Sequence, residues 1–159
     1  MNKTAYKRTS FGFTLIELLV VISIIGIIAA LVTVSFTSSQ KQARDTKRKS
    51  DLKFYQSALE VDANKYDGFY VSWPTSKVYA SSTLCSSLGL NNCPEDAKNS
   101  VNTTTYAYYY LSDGSLVGSH TATSYVLWAK LEYTTGYWVA CSTGSVFASA
   151  AQPTLSSCQ

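Results

Sequence analysis

Glu17 is the one ionisable side chain in a 24-residue apolar stretch, Phe13 to Phe36, reading FTLIELLVVISIIGIIAALVTVSF. A charge at the centre of a bilayer costs at least ~2.5–3.5 kcal/mol, so such a carboxylate marks function unless it reaches the headgroups. The reading preferred here is a buried acid that awaits a positive partner. Four cysteines, Cys85, Cys93, Cys141 and Cys158, form the second candidate group. An even number in a Ser- and Thr-rich region points to disulfides if the compartment is oxidising, and four cysteines allow three connectivities. Sequence proximity favours Cys85 with Cys93 and Cys141 with Cys158. No CxxC occurs and His120 is the only histidine, so a metal site is not expected. His120 lies among Gly, Ser and Thr and reads as solvated, while turn chemistry after Pro94 accounts for Glu95 and Asp96. With no phosphate-binding glycine loop, no nucleophile paired to a base and no ligand cluster, the chain is not expected to be an enzyme or to carry a cofactor.

These residues must be held by two kinds of element. A helix over 13–36 spans roughly 36 Å at ~1.5 Å per residue, enough to cross a ~30 Å hydrocarbon layer. Residues 1–12 before it carry Lys3, Lys7 and Arg8 and no acid. The apolar run is too long for the core of an ordinary cleaved signal peptide, and no small-x-small site closes it. Residues 37–67 continue the helix as an amphipathic segment, with Leu52, Tyr55, Leu59, Asp62 or Ala63, and Tyr66 at helical spacing, until Gly68 stops it. Lys41, Arg44, Lys47, Arg48, Lys49 and Lys53 read as a solvated face of that segment. Six basic residues after the apolar run and three before it oppose the positive-inside rule.

Residues 68–159 are long enough for one small domain. Strand-favouring runs at Tyr106–Leu111, Ser124–Leu131 and Gly136–Ser142, with a hairpin connection at Thr134–Gly136, predict an antiparallel sheet of three or four strands packed on the helix. The expected fold class is thus α+β, a long N-terminal helix whose first half is transmembrane and whose second half packs on a small antiparallel sheet.

Gly12, Phe13, Thr14, Leu15, Ile16 and Glu17, behind a short basic leader and ahead of the apolar run, resemble the type IV prepilin signal shared by type IV pilins and type II secretion pseudopilins. The resemblance covers the leader and about the first third of the chain. It implies a pilin-like fold, cleavage by a prepilin peptidase between Gly12 and Phe13, and N-methylation of the Phe13 amine. In such a subunit Glu17 of one copy would meet the Phe13 amine of its neighbour, two charges each costly to bury alone, and so set register between copies. Val34 departs from the many members that carry Pro there, so helix melting near Gly26 is not implied.

The resemblance further implies a helical filament of identical copies, an inner-membrane assembly platform as partner, and residence as a single-pass protein of the cytoplasmic membrane before assembly. The leader would face in and the C-terminal domain out, ending in an extracellular or periplasmic filament. Within this family, pseudopilins typically order their C-terminal loop with calcium, whereas many pilins use a disulfide. Residues 142–159 contain no Asp or Glu, which favours the pilin branch over a type II secretion pseudopilin. A third reading, a DNA-uptake minor pilin with DNA as partner, rests on the Lys41–Lys53 cluster alone. Removal of residues 1–12 leaves ten basic and ten acidic residues, a formally neutral chain with no general pull on nucleic acid.

Overall fold

The computed structural model describes residues 12–99 and 105–158, except for the side chains of 31–35. Apart from Gly12, the expected leader lies outside the described residues. Helix α1 runs without a break from Leu15 to Ala63, 49 residues, through Gly26 and Val34. Its far end is set by backbone chemistry: Asp67 and Gly68 take positive φ values of 54° and 88°, and the Gly68 amide donates to the Ala63 carbonyl at 2.9 Å. A left-handed closure of this kind satisfies last-turn carbonyls and favours glycine. The regular helix therefore ends three residues before Tyr66.

By its internal contacts the chain divides into two units, 1–39 and 40–159. In the first, every described residue from Gly12 to Ala30 is exposed. Among the described residues no helix is long and apolar enough to cross a membrane. The span expected at 13–36 takes in 31–35, whose side chains lie outside the description.

In the second unit, residues of α1 pack on antiparallel strands. These are β1 (Tyr70–Val71), β2 (Val78–Tyr79), β3 (Tyr108–Ser112), β4 (His120–Ala122), β5 (Tyr125–Lys130), β6 (Tyr137–Cys141) and β7 (Val146–Ser149). The main sheet has the order β2-β3-β5-β6-β7, and β1 pairs with β4 in a separate two-stranded sheet. Among the described residues, seven strands in two sheets stand where three or four strands in one sheet were expected. The three found by pattern are β3, β5 and β6. The other four hold two to four residues each, too few for an alternating pattern to register, and form by pairing with strands already in place.

Buried Leu52, Tyr55 and Leu59 place the helical stripe against Tyr108, Tyr110, Tyr125, Leu127 and Ala129, and Ala63 at the end of the stripe is buried as well. The alternate residues of β5, Val126 and Trp128, are buried on the other face with Tyr109 and Val139, against Phe147 and Leu155. As the middle strand of five, β5 is covered twice: by the helix on one face and by the C-terminal tail on the other.

Disulfides join Cys85 to Cys93 and Cys141 to Cys158. The second ties the final 3₁₀ turn, Leu155–Cys158, back to β6 and so holds the tail over Trp128. Closing a loop of this size stabilises by ~3 kcal/mol in the chain-entropy account. The double variant Cys141→Ala/Cys158→Ala is therefore expected to lose that order of stability in denaturant unfolding of the oxidised protein. A loss well under 1 kcal/mol would show that packing alone retains the tail.

Candidate functional site

The sequence places its assembly residues at the start of α1, and the geometry there is local. Gly12 and Phe13 precede the helix in an open conformation, and Phe13 is 86% exposed. Thr14 sits at the N-cap position. Its amide donates to Glu17 Oε2 at 2.9 Å, its hydroxyl donates to the same oxygen at 2.7 Å, and the Glu17 amide donates to Thr14 Oγ1 at 3.3 Å. This reciprocal arrangement is a capping box, formed by Thr and Glu three residues apart at the head of an apolar run. It satisfies helix-start donors that have no intrahelical partner, and it places a negative group at the positive end of the helix dipole.

The capping role was legible in Thr14-x-x-Glu17 but is missed when Glu17 is considered only as a charge seeking a distant partner. Further along, Ser23 donates its hydroxyl to the Val20 carbonyl at 2.7 Å, so this polar side chain too is satisfied within the helix.

Residues 7–33 match the family model described as the prokaryotic N-terminal methylation motif. The chain carries that methylation motif. Similar proteins include type II secretion system core protein G of Pseudomonas aeruginosa, 46% identical over 63 residues, covering 40% of this chain and 43% of that protein. The type IV wide pilus major component PilA4 of Thermus thermophilus is 40% identical over 62 residues, covering 37% of this chain and 47% of the relative. The type IV major pilin protein PilA of Myxococcus xanthus is 36% identical over 69 residues, covering 43% and 31%. The chain thus spans less than half the length of each of these relatives. No solved structure matches it.

Beyond the methylation motif, the basic segment of α1 departs from the solvated face expected at Arg44 and Arg48, while Lys41, Lys47, Lys49 and Lys53 are exposed. Arg48 is only 1% exposed. Its guanidinium donates to Asp45 at 2.7 Å and to Glu132 at 2.6 Å, and it makes a two-point contact with Asp96, one arm of which measures 2.9 Å. Arg44 clasps both oxygens of Glu132 at 2.8 Å, and Lys98 reaches Glu132 at 2.6 Å. Asp45 also accepts the amides of Glu132 and Tyr133, which fixes the turn between β5 and β6.

Asp96 is consequently a buried ion-pair partner and not merely a turn residue, while its neighbour Glu95 is exposed. The signal available in sequence was the balance of Arg and Asp at three-residue spacing in Asp45-x-x-Arg48; the partners from 96 and 132 carried none. His120 is likewise not simply solvated. Its Nε2 lies 2.8 Å from Asp62 Oδ2, and its ring stacks on Tyr66 with centroids 3.5 Å apart.

No group of three or more His, Cys, Asp or Glu suited to a metal occurs among the described residues. Arg44 first, then Lys98 and Arg48, hold the Glu132 carboxyl well below the ordinary carboxylate range, against the opposing effect of its burial. A depressed folded-state pKa means that this stabilisation is complete above the unfolded value, near ~4.3, and is lost as pH falls from there toward the folded value. Glu132→Gln should flatten the acid limb of a stability–pH profile, and an unchanged limb would place that titration elsewhere. Arg48→Met strands buried carboxylates and should cost ~3–5 kcal/mol in denaturant unfolding.

Proposed function

We propose that the chain is a structural subunit of a type IV pilus-like filament, made as a prepilin, cut after Gly12, N-methylated on Phe13 and assembled by bundling of α1. One observation carries this reading. The methylation motif opens a helix whose described residues up to Ala30 are exposed and almost wholly apolar. A helix apolar on all sides needs lipid or other helices around it. Lipid before assembly and neighbouring copies after it are interchangeable covers for the same surface. That accounts for a single-pass stage in the cytoplasmic membrane, leader inside and residues 40–159 outside, followed by an extracellular or periplasmic filament. A prepilin peptidase and an inner-membrane assembly platform are the partners such a route requires.

Cleavage between Gly12 and Phe13 leaves an α-amine one residue before Thr14, whose amide remains to hold Glu17. The Thr14 donors both use Oε2, and an ionised carboxylate has further acceptor capacity. A neighbour's Phe13 amine can therefore join the cap without dismantling it. The pair then fixes the offset between copies in an environment where any other register leaves two charges buried alone.

A pseudopilin of a type II secretion system is the second reading, favoured by the similarity to core protein G. Against it stand the Cys141–Cys158 bridge and a tail without carboxylates, which supply a disulfide closure and no calcium ligand set. The DNA-uptake reading loses part of its footing, since carboxylates engage Arg44 and Arg48 and Lys49 lies over the Trp138 ring at 4.3 Å.

The deciding measurement is intact mass without reduction, on sheared surface material and separately on membranes. The expected surface species begins at methylated Phe13 and is lighter by four hydrogens for its two disulfides. A species confined to membranes and still carrying residues 1–12 would sink the proposal. If the processed species occurs but electron microscopy finds only short, unexposed filaments, the secretion reading replaces the pilus.

A further inference from the structure

Within residues 40–159, two unlike surfaces lie at opposite ends of the packed part of α1. One is anchored at Asp45 and the other at Asp62, roughly 26 Å apart at ~1.5 Å per residue. At the Asp62 end the loop between β3 and β4 is rigidly built. The Asp113 carboxylate accepts from the Thr123 amide at 2.7 Å, the Thr123 hydroxyl at 2.6 Å and the Ser124 amide at 2.9 Å. The Gly118 amide donates to the Ser72 carbonyl at 2.8 Å, and the Ser72 amide donates to the Ser119 carbonyl at 2.7 Å. Gly114 has φ +103°, and a side chain there would strike Ser72 and Thr121. This scaffold displays two adjacent aliphatic residues, Leu116 at 64% and Val117 at 54% exposure. Such a pair adds nothing to the domain's own core.

At the Asp45 end, a groove of about 240 Å³ lies between α1 and the β5–β6 turn, with Gln42, Asp45, Thr46 and Lys49 on the helix side and Leu131, Tyr133 and Thr134 on the turn side. It is smaller than the ~300–1,000 Å³ typical of small-molecule sites, so one or two aliphatic side chains suit it better than a ligand. Buried Leu131 and the exposed Tyr133 give it an apolar wall. The charges at the two ends are opposite. Lys49 lines the groove and Lys41, one turn before Asp45, is exposed, whereas the half-buried Asp113 closes the loop and Asp67 follows the end of α1, where Lys65 is paired with Asp62 at 3.6 Å.

We propose that the Leu116–Val117 tip of one copy seats in the Tyr133 groove of the next copy. The two surfaces differ and lie at opposite ends, so each bound copy still offers an unused tip or an unused groove. A heterologous contact of this kind propagates into an open helical array instead of closing into a dimer. The opposite charges steer the two ends together and disfavour tip-to-tip and groove-to-groove encounters. This inference rests on the filament reading and adds to the bundled helices a second contact, made between the folded domains.

The test places a photoreactive benzophenone side chain in the full-length protein in cells, at position 117, at position 133, or at position 20 in the apolar helix. The expected result is a copy-to-copy adduct from position 117 that maps to 42–49 or 131–134, and the reciprocal adduct from 133 that maps to 114–119. Leu116→Asp should reduce both about tenfold, the loss of one modest apolar contact. Adducts from 117 and 133 that go to other proteins or to other segments of a second copy would overturn the proposal, as would their absence. If position 20 alone joins copies, only this contact fails. If none of the three positions does, the filament reading fails with it.

Discussion

Arg48 lies almost fully buried on α1, with carboxylates from three separate stretches of chain, Asp45, Asp96 and Glu132, closed around its guanidinium. Each of these groups would be prohibitively costly to bury alone, and each is tolerable only in the presence of the others. With Arg44 and Lys98 the cluster holds three bases against three acids. It joins the helix to the 94–99 segment and to the turn that starts β6, two parts of the chain whose apolar residues give them little other reason to meet there. Geometry is specified more strongly by such an arrangement than by apolar contact, because a shift of one residue in the helix would leave charges unpaired.

The remainder of the 40–159 unit is built outward from that fixed point. The apolar stripe of α1 reaches one face of the main sheet, and the disulfide-held tail covers the other. Burial of β5 on both faces follows from its place as the middle strand, with β3 and β6 beside it. The far end of α1 is finished by His120, paired to Asp62 and stacked on Tyr66, next to the β1–β4 pairing.

The beginning of α1 obeys a different constraint. Its described side chains up to Ala30 are exposed, and its polar groups are satisfied locally: Thr14 and Glu17 cap each other, and Ser23 turns back onto the Val20 carbonyl. Local satisfaction lets the same segment accept lipid or protein as surroundings without leaving a donor unpaired.

Much of this was legible in the chain itself, where short-range chemistry decides the outcome. The string from Gly12 to Glu17, the uninterrupted apolar run, the helical spacing of Leu52, Tyr55 and Leu59, and the strands at 108–112, 125–130 and 137–141 all depend on neighbours within a few residues. Tertiary structure alone decided the rest. Arg48 and Asp96 resemble surface residues in sequence, and only the fold brings their opposite charges together from 48 positions apart. The two- to four-residue strands carry no period of their own and exist because an adjacent strand supplies their hydrogen bonds. His120 looks like a loop residue until the end of α1 delivers Asp62 and Tyr66 to its ring. Periodicity records which face of an element is apolar, but it holds no information about which distant charge or strand edge will meet that face.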